Sequence, residues 1–133
     1  MIAPHGFHHV AVLVTDVERV AAFYREVLEL PEVARFHHPD GSLRSIWVGA
    51  RSGGDAGGGF VAVEQAAVAI GGNPGRGYTM VALAIEVSTR EQVRVARERR
   101  GVPIECETDF TVYVRDPEGN LVGLSHYPVA RIR

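Results

Sequence analysis

The sequence predicts an α+β protein built as a tandem repeat, in which a strand, a helix and three further strands are followed by the same plan again. Two observations carry that prediction. Thr15-x-x-Glu18 and Ser88-x-x-Glu91 are matching capping boxes 73 residues apart, each preceded by an apolar strand pattern and followed by a helical one. Turn signals at Pro39-Asp40-Gly41 and Asp116-Pro117-Glu118-Gly119 then divide the remainder of each half into strands.

Each element follows from local pattern. Phe7–Val14 is rich in valine and reads as a strand. Val17, Val20, Ala21, Tyr24, Val27 and Leu28 then recur at helical spacing, and Pro31 stops that helix. Glu32–His38, Ser42–Ala50 and Phe60–Gln65 read as the next three strands, with a glycine-rich loop from Arg51 to Gly59. After a second glycine-rich stretch the plan restarts. Met80–Val87 is a strand, the helix runs from Ser88 to Arg100, and Gly101 ends it. Val102–Glu107, Phe110–Arg115 and Asn120–His126 are the last three strands. The expected organisation is one domain over 1–133, with a first module at 5–66, a linker at 67–77 and a second module at 78–128.

Composition excludes several classes of chemistry. Hydrophobic residues make up 46% and charged residues 23%, which is globular and not disordered. All 14 basic residues are arginine, so Schiff-base lysine chemistry and a Walker A loop are excluded. Cys106 is the single cysteine, so the chain holds no internal disulfide and no cysteine-built cluster. The formal charge of −2 lacks the basic field used in non-specific nucleic-acid binding, and no nucleic-acid or membrane partner is expected. The amino terminus lacks a basic start followed by an apolar stretch, so a cytoplasmic location is expected. The arginines at 90, 94, 97, 99 and 100 read as a solvated helix face.

Strand alternation sorts the candidate pocket residues. His9, Ala11 and Leu13 share one face of the first strand, Ala62 and Glu64 one face of the fourth, and Met80, Ala82, Ala84 and Glu86 one face of the fifth. These faces carry small and polar residues and leave room for a ligand, whereas the valine and leucine faces suit helix packing. His8 and His126 fall on the opposite faces of their strands. Trp47 either lines the pocket or fills core.

The segments His9-Val10-Ala11-Val12-Leu13-Val14-Thr15-Asp16, Ala22-Phe23-Tyr24-Arg25-Glu26-Val27-Leu28 and Arg115-Asp116-Pro117-Glu118-Gly119-Asn120-Leu121 resemble the vicinal oxygen chelate superfamily, which includes glyoxalase I, bleomycin- and fosfomycin-resistance proteins and extradiol dioxygenases. The resemblance implies two βαβββ modules forming a curved, cup-shaped mixed sheet with helices outside, holding a small organic molecule, and commonly a homodimer. It also implies one divalent metal, held by residues of the first and last strands of each module. Matched by motif, three of those positions are His9, Glu64 and Gly123, and the internal repeat places Ala82 where His9 sits; Ala82 and Gly123 carry no donor atom. No tightly bound cofactor is therefore expected, and at most a weak divalent metal on His9 and Glu64.

Two readings follow. The favoured one is a binding or resistance-type protein without a complete metal centre, its pocket lined by His9, Ala11, Trp47, Ala62, Glu64, Ala82 and Gly123. The alternative is an isomerase, lyase or epimerase in which His9 and Glu64 are catalytic, with a labile metal or as an acid–base pair.

Overall fold

Among the described residues, valine, isoleucine and aromatic residues alternating with small or polar ones build eight strands, and two amphipathic segments build two α-helices. The computed structural model describes residue 2 and residues 7–49, 59–66 and 80–128. The expected loop at 51–59, apart from Gly59, and the linker at 67–77 lie outside the described residues. The chain divides into two units, Met1–Ala69 and Ile70–Arg133. The fold is α+β, two βαβββ modules in succession.

In the first unit β1 (His9–Val14), α1 (Val17–Glu26), β2 (Glu32–His37), β3 (Leu43–Gly49) and β4 (Phe60–Gln65) form a sheet in the order β1-β4-β3-β2. β1 runs parallel to β4, and β3 is antiparallel to both β4 and β2. One face carries Val12, Val14, Ile46, Val48, Val61 and Val63, all buried, beneath the buried Val17, Val20, Ala21, Phe23 and Tyr24 of α1. The capping box is displaced by one residue from the expected Thr15-x-x-Glu18. Asp16 is the cap, and its carboxylate accepts the Arg19 N–H at 3.1 Å. The helix also ends before Leu28. Glu29 takes φ 56°, and the Leu30 N–H bonds the Tyr24 carbonyl at 3.0 Å, so the chain turns away ahead of Pro31.

Four charged residues tie α1 to β2. Glu18 accepts from Arg25 at 2.7 Å and from Arg35 at 2.8 Å, and Glu32 accepts from Arg35 at 2.7 Å and from Arg25 at 3.1 Å. The hydrogen bond from Arg25 lowers the pKa of Glu18 below its ordinary value, with Arg35 adding to the effect. The hydrogen bond from Arg35 does the same for Glu32.

In the second unit β5 (Met80–Ala84), α2 (Arg90–Arg99), β6 (Ile104–Glu107), β7 (Thr111–Arg115) and β8 (Leu121–Ser125) repeat the order as β5-β8-β7-β6. β5 stops short of the expected Val87, because a 3-10 helical turn over Val87–Thr89 precedes α2. The expected Ser88 cap therefore does not form. Thr89 occupies the cap position and makes no side-chain capping bond. Gly101, at φ 68°, follows the helix end as expected.

The arginine face of α2 is not merely solvated. Arg90 donates to the carbonyls of Thr108 (2.7 Å) and Asp109 (2.9 Å) and to Glu107 (3.2 Å), and Arg97 donates to the Val102 carbonyl at 3.1 Å. These guanidinium groups fasten α2 to the segments before and after β6 and to the end of β6 itself. The turn before β8 closes on the buried carboxylate of Asp116, which accepts from the Glu118 N–H, the Asn120 N–H and the Asn120 side chain at 2.8–3.0 Å. No helix among the described residues is long and apolar enough to cross a membrane.

Candidate functional site

Away from α1, the first sheet presents the small-residue face that alternation predicts. Register decides what meets on it. Ala11 of β1 lies beside Ala62 of β4, which lies opposite Trp47 of β3. One step along, His9 lies beside Phe60, and Phe60 lies opposite Gly49. The alanines and the glycine leave room above the strands, and aromatic rings fill it. His9 stacks on Phe60 with ring centroids 5.0 Å apart and planes 9° apart, and Phe60 stacks on Trp47 at 4.4 Å and 24°. Phe36 of β2 extends the row at 4.6 Å from Trp47, and the Arg44 guanidinium lies 5.5 Å from the Phe36 ring centre. Spacings of this kind are typical of attractive ring pairs.

His8 joins the row at its β1 end. It lies just before β1, so strand alternation does not hold its side chain to the opposite face as expected. Its ring packs edge-on to Phe60 at 5.4 Å, and its Nδ1 lies 2.9 Å from His9 Nδ1, within hydrogen-bond distance. At the other end of the face, Glu64 is half-buried between Leu13 and Ser45 in register. Ser45 is 2% exposed, and among the described residues neither its hydroxyl nor the indole N–H of Trp47 has a hydrogen-bond partner.

The register separates two residues expected to act together. His9 and Glu64 share a face, but Glu64 lies beside Leu13, four residues further along than the partner of His9. At about 3.3 Å per residue that is roughly 13 Å along the strand between the two positions.

In the second sheet Ala82 lies beside Gly123, and Gly123 lies opposite Tyr113. A Cβ on Gly123 would meet Tyr113 Cε1 at 3.3 Å and Met80 Sδ at 3.4 Å, so the tyrosine ring leans over the glycine. Alongside, the Thr111 hydroxyl donates to the Ser125 hydroxyl at 2.9 Å. Glu86 lies beyond the end of β5 and is exposed.

The two registers pair the motif-based ligand positions differently. The partner of Ala82 is Gly123, and the equivalent partner of His9 is Phe60, not Glu64. Of the four equivalent positions His9, Phe60, Ala82 and Gly123, only His9 bears a metal-binding atom. Patterning alone misses Phe60, Phe36 and Tyr113. The available signal was an aromatic residue at the same-face positions of successive strands.

His38 Nε2 lies 2.7 Å from Gln65 Oε1, and His37 is exposed at the end of β2. His126 Nε2 is 3.2 Å from Arg90 Nη1, and its ring packs against Phe110. Cys106 is exposed on β6.

A sequence model of the Glyoxalase/Bleomycin resistance protein/Dioxygenase superfamily matches residues 6–124. Among solved structures, the fosfomycin resistance protein FosX from Mesorhizobium loti superposes with a TM-score of 0.71 at 17% identity, covering 98% of both chains. A point mutant of FosX from Listeria monocytogenes, complexed with Mn(II) and 1S,2S-dihydroxypropylphosphonic acid, gives 0.71 at 18% identity over 100% of both chains. Lactoylglutathione lyase from Agrobacterium tumefaciens gives 0.64 at 20% identity, covering 92% of this chain and 93% of that one. No curated protein matches the sequence.

The described residues do not bring together a full donor set for a manganese ion of the kind held by the Listeria protein. A catalytic divalent site usually takes about three protein ligands. Neither unit supplies them: His9 faces an aromatic ring, Ala82 faces a glycine, and no three His, Cys, Asp or Glu side chains converge among the described residues.

Proposed function

Because the chain belongs to the Glyoxalase/Bleomycin resistance protein/Dioxygenase superfamily, we propose that it binds a small planar organic molecule by ring stacking on the first sheet, without a complete metal centre. The observation that carries this reading is the ring row His9–Phe60–Trp47–Phe36, which lies where the fold's first-strand ligand begins. Ring faces of this kind select flat ligands, and Ala11 beside them is exposed. The homodimer that the resemblance implies and the expected cytoplasmic location belong to the same proposal. Light scattering tests the dimer, with an expected mass twice the 14.4 kDa of one chain.

Trp47 is the single tryptophan, so its fluorescence reports on the row itself. Titration with a bicyclic heteroaromatic such as quinoline is expected to perturb that emission saturably. By calorimetry, Trp47→Ala should weaken binding about tenfold, which corresponds to about 1.4 kcal/mol. Dialysis against EDTA should leave the titration unchanged. Binding lost with EDTA and restored by manganese would overturn the metal-free reading.

The hydrogen-bonded histidine pair favours a second reading, an isomerase-, lyase- or epimerase-type enzyme. His8, not Glu64, is then the group that shares a proton with His9. His9→Phe separates the two readings. It retains ligand binding if stacking is the function, and abolishes turnover if His9 is the acid–base group.

A further inference from the structure

Among the described residues, the row of rings has one acidic neighbour, Glu64, and no counter-charge faces it. Glu64 is half-buried on the same face as Trp47, and its side chain makes no hydrogen bond or ion pair among the described residues. Directly across from it in register, Ser45 is 2% exposed and its hydroxyl also has no partner among the described residues. Trp47 sits one diagonal step from Glu64 across the same two strands, a separation of about 7–8 Å that long side chains span. Half-burying a carboxylate without a partner is costly, and so is burying a hydroxyl without one. Both costs fall if something that binds beside them brings positive charge and a hydrogen-bond donor.

The rings point to the same sign of charge. The face of an aromatic ring carries negative potential and attracts cations, tryptophan most strongly. One ring of this row already holds a cation, since Arg44 sits over Phe36. The other ionisable groups along the face are His8 and His9 at the far end of the row, which are tied to each other.

We infer that the ligand of this face is a planar cation, its ring laid against Trp47 and its positive nitrogen directed to Glu64 and Ser45. This rests on the stacking reading and adds the charge class of the ligand. A cation gains from the ring faces and from the carboxylate together, whereas an anion meets an uncompensated carboxylate at short range.

Three bicyclic compounds of similar size test it by calorimetry at pH 8: N-methylquinolinium as the cation, quinoline as the neutral form and 2-naphthoate as the anion. The expected order is N-methylquinolinium at least about tenfold tighter than quinoline, with 2-naphthoate weakest. In Glu64→Gln the ratio of cation to neutral affinity should collapse to within about twofold, and Glu64→Asp should restore part of it. Far-UV circular dichroism confirms that both variants fold. Equal affinity for cation and neutral compound, tighter binding of 2-naphthoate, or a preference that survives Glu64→Gln overturns the charge inference and leaves stacking intact. Failure of all three compounds to bind overturns the stacking reading and this inference with it.

Discussion

In the first unit α1 buries Val17, Val20, Ala21, Phe23 and Tyr24, whereas α2 in the second unit buries no residue at all. The two helices occupy the same place in the order of elements, and each runs for ten residues. Their means of attachment differ. α1 is held by apolar side chains under a carboxylate cap. α2 carries arginines at the corresponding stretch and is fastened by guanidinium hydrogen bonds to backbone carbonyls. A repeated topology thus tolerates two kinds of anchor, because the hydrogen-bonded strand order does not depend on which one is used. The sheets differ in the same way. The first unit places an aromatic ring on β4 opposite a glycine on β3, and the second places a glycine on β8 opposite an aromatic ring on β7.

The largest expected effect tests the apolar anchor. Tyr24 is fully buried, and truncating a buried aromatic residue to alanine removes its packing and leaves a cavity. Tyr24→Ala should destabilise the protein by about 3–5 kcal/mol in urea denaturation. Val95, on α2, is 40% exposed. Val95→Ala should stay within about 0.5 kcal/mol. Comparable losses from the two variants would break the contrast between the helices.

The polar anchor comes next. Arg90 donates to two carbonyls and to Glu107 with a side chain only 19% exposed. Arg90→Ala leaves those acceptors to water, and a loss of about 1.5–3 kcal/mol is expected from hydrogen bonds to a charged group. Arg90→Lys should recover little, because an ammonium cannot fork to several acceptors as the planar guanidinium does. Full recovery by lysine would mean that charge alone, and not donor geometry, holds α2 in place.

How much of this was legible depends on what local pattern encodes. Phe60–Gln65 alternates cleanly, and β4 has those bounds. The face shared by His9, Ala11 and Leu13 was equally plain. Alternation fixes a face but not an offset, so the pairing of His9 with Phe60, and the distance to Glu64, was out of reach. That pairing is set by how two strands 51 residues apart line up, and no short-range signal records it. The aromatic row has the same origin, since its members come from four different strands. The second capping box misled for a local reason. Ser88 and Glu91 have the right spacing, but Val87–Thr89 forms a 3-10 turn and moves the helix start past the serine. His8 misled because alternation applies only within a strand, and β1 begins one residue later.

The smallest effect concerns carboxylates in both units. Folding lowers the pKa of Glu18 and Glu32 through hydrogen bonds from Arg25 and Arg35, and of Glu105 and Glu107 through hydrogen bonds from Arg115 and from Arg94 and Arg90. A carboxylate whose folded value is depressed contributes in full above its ordinary value of 4.5, and the contribution is lost as the pH falls through the lower folded value. Glu18 is half exposed, so solvent screening holds its ion pairs to a few tenths of a kcal/mol, about 0.5 at most. The melting temperature should therefore be flat in these groups above pH 5 and decline below about 4.5, with the decline reduced in 1 M salt. Glu18→Gln should remove the first unit's share, and Glu107→Gln the second's. If Glu107→Gln flattens the acid limb while Glu18→Gln leaves it unchanged, the acid sensitivity belongs to the arginine-fastened helix, and the contrast between the two anchors extends to how each responds to pH.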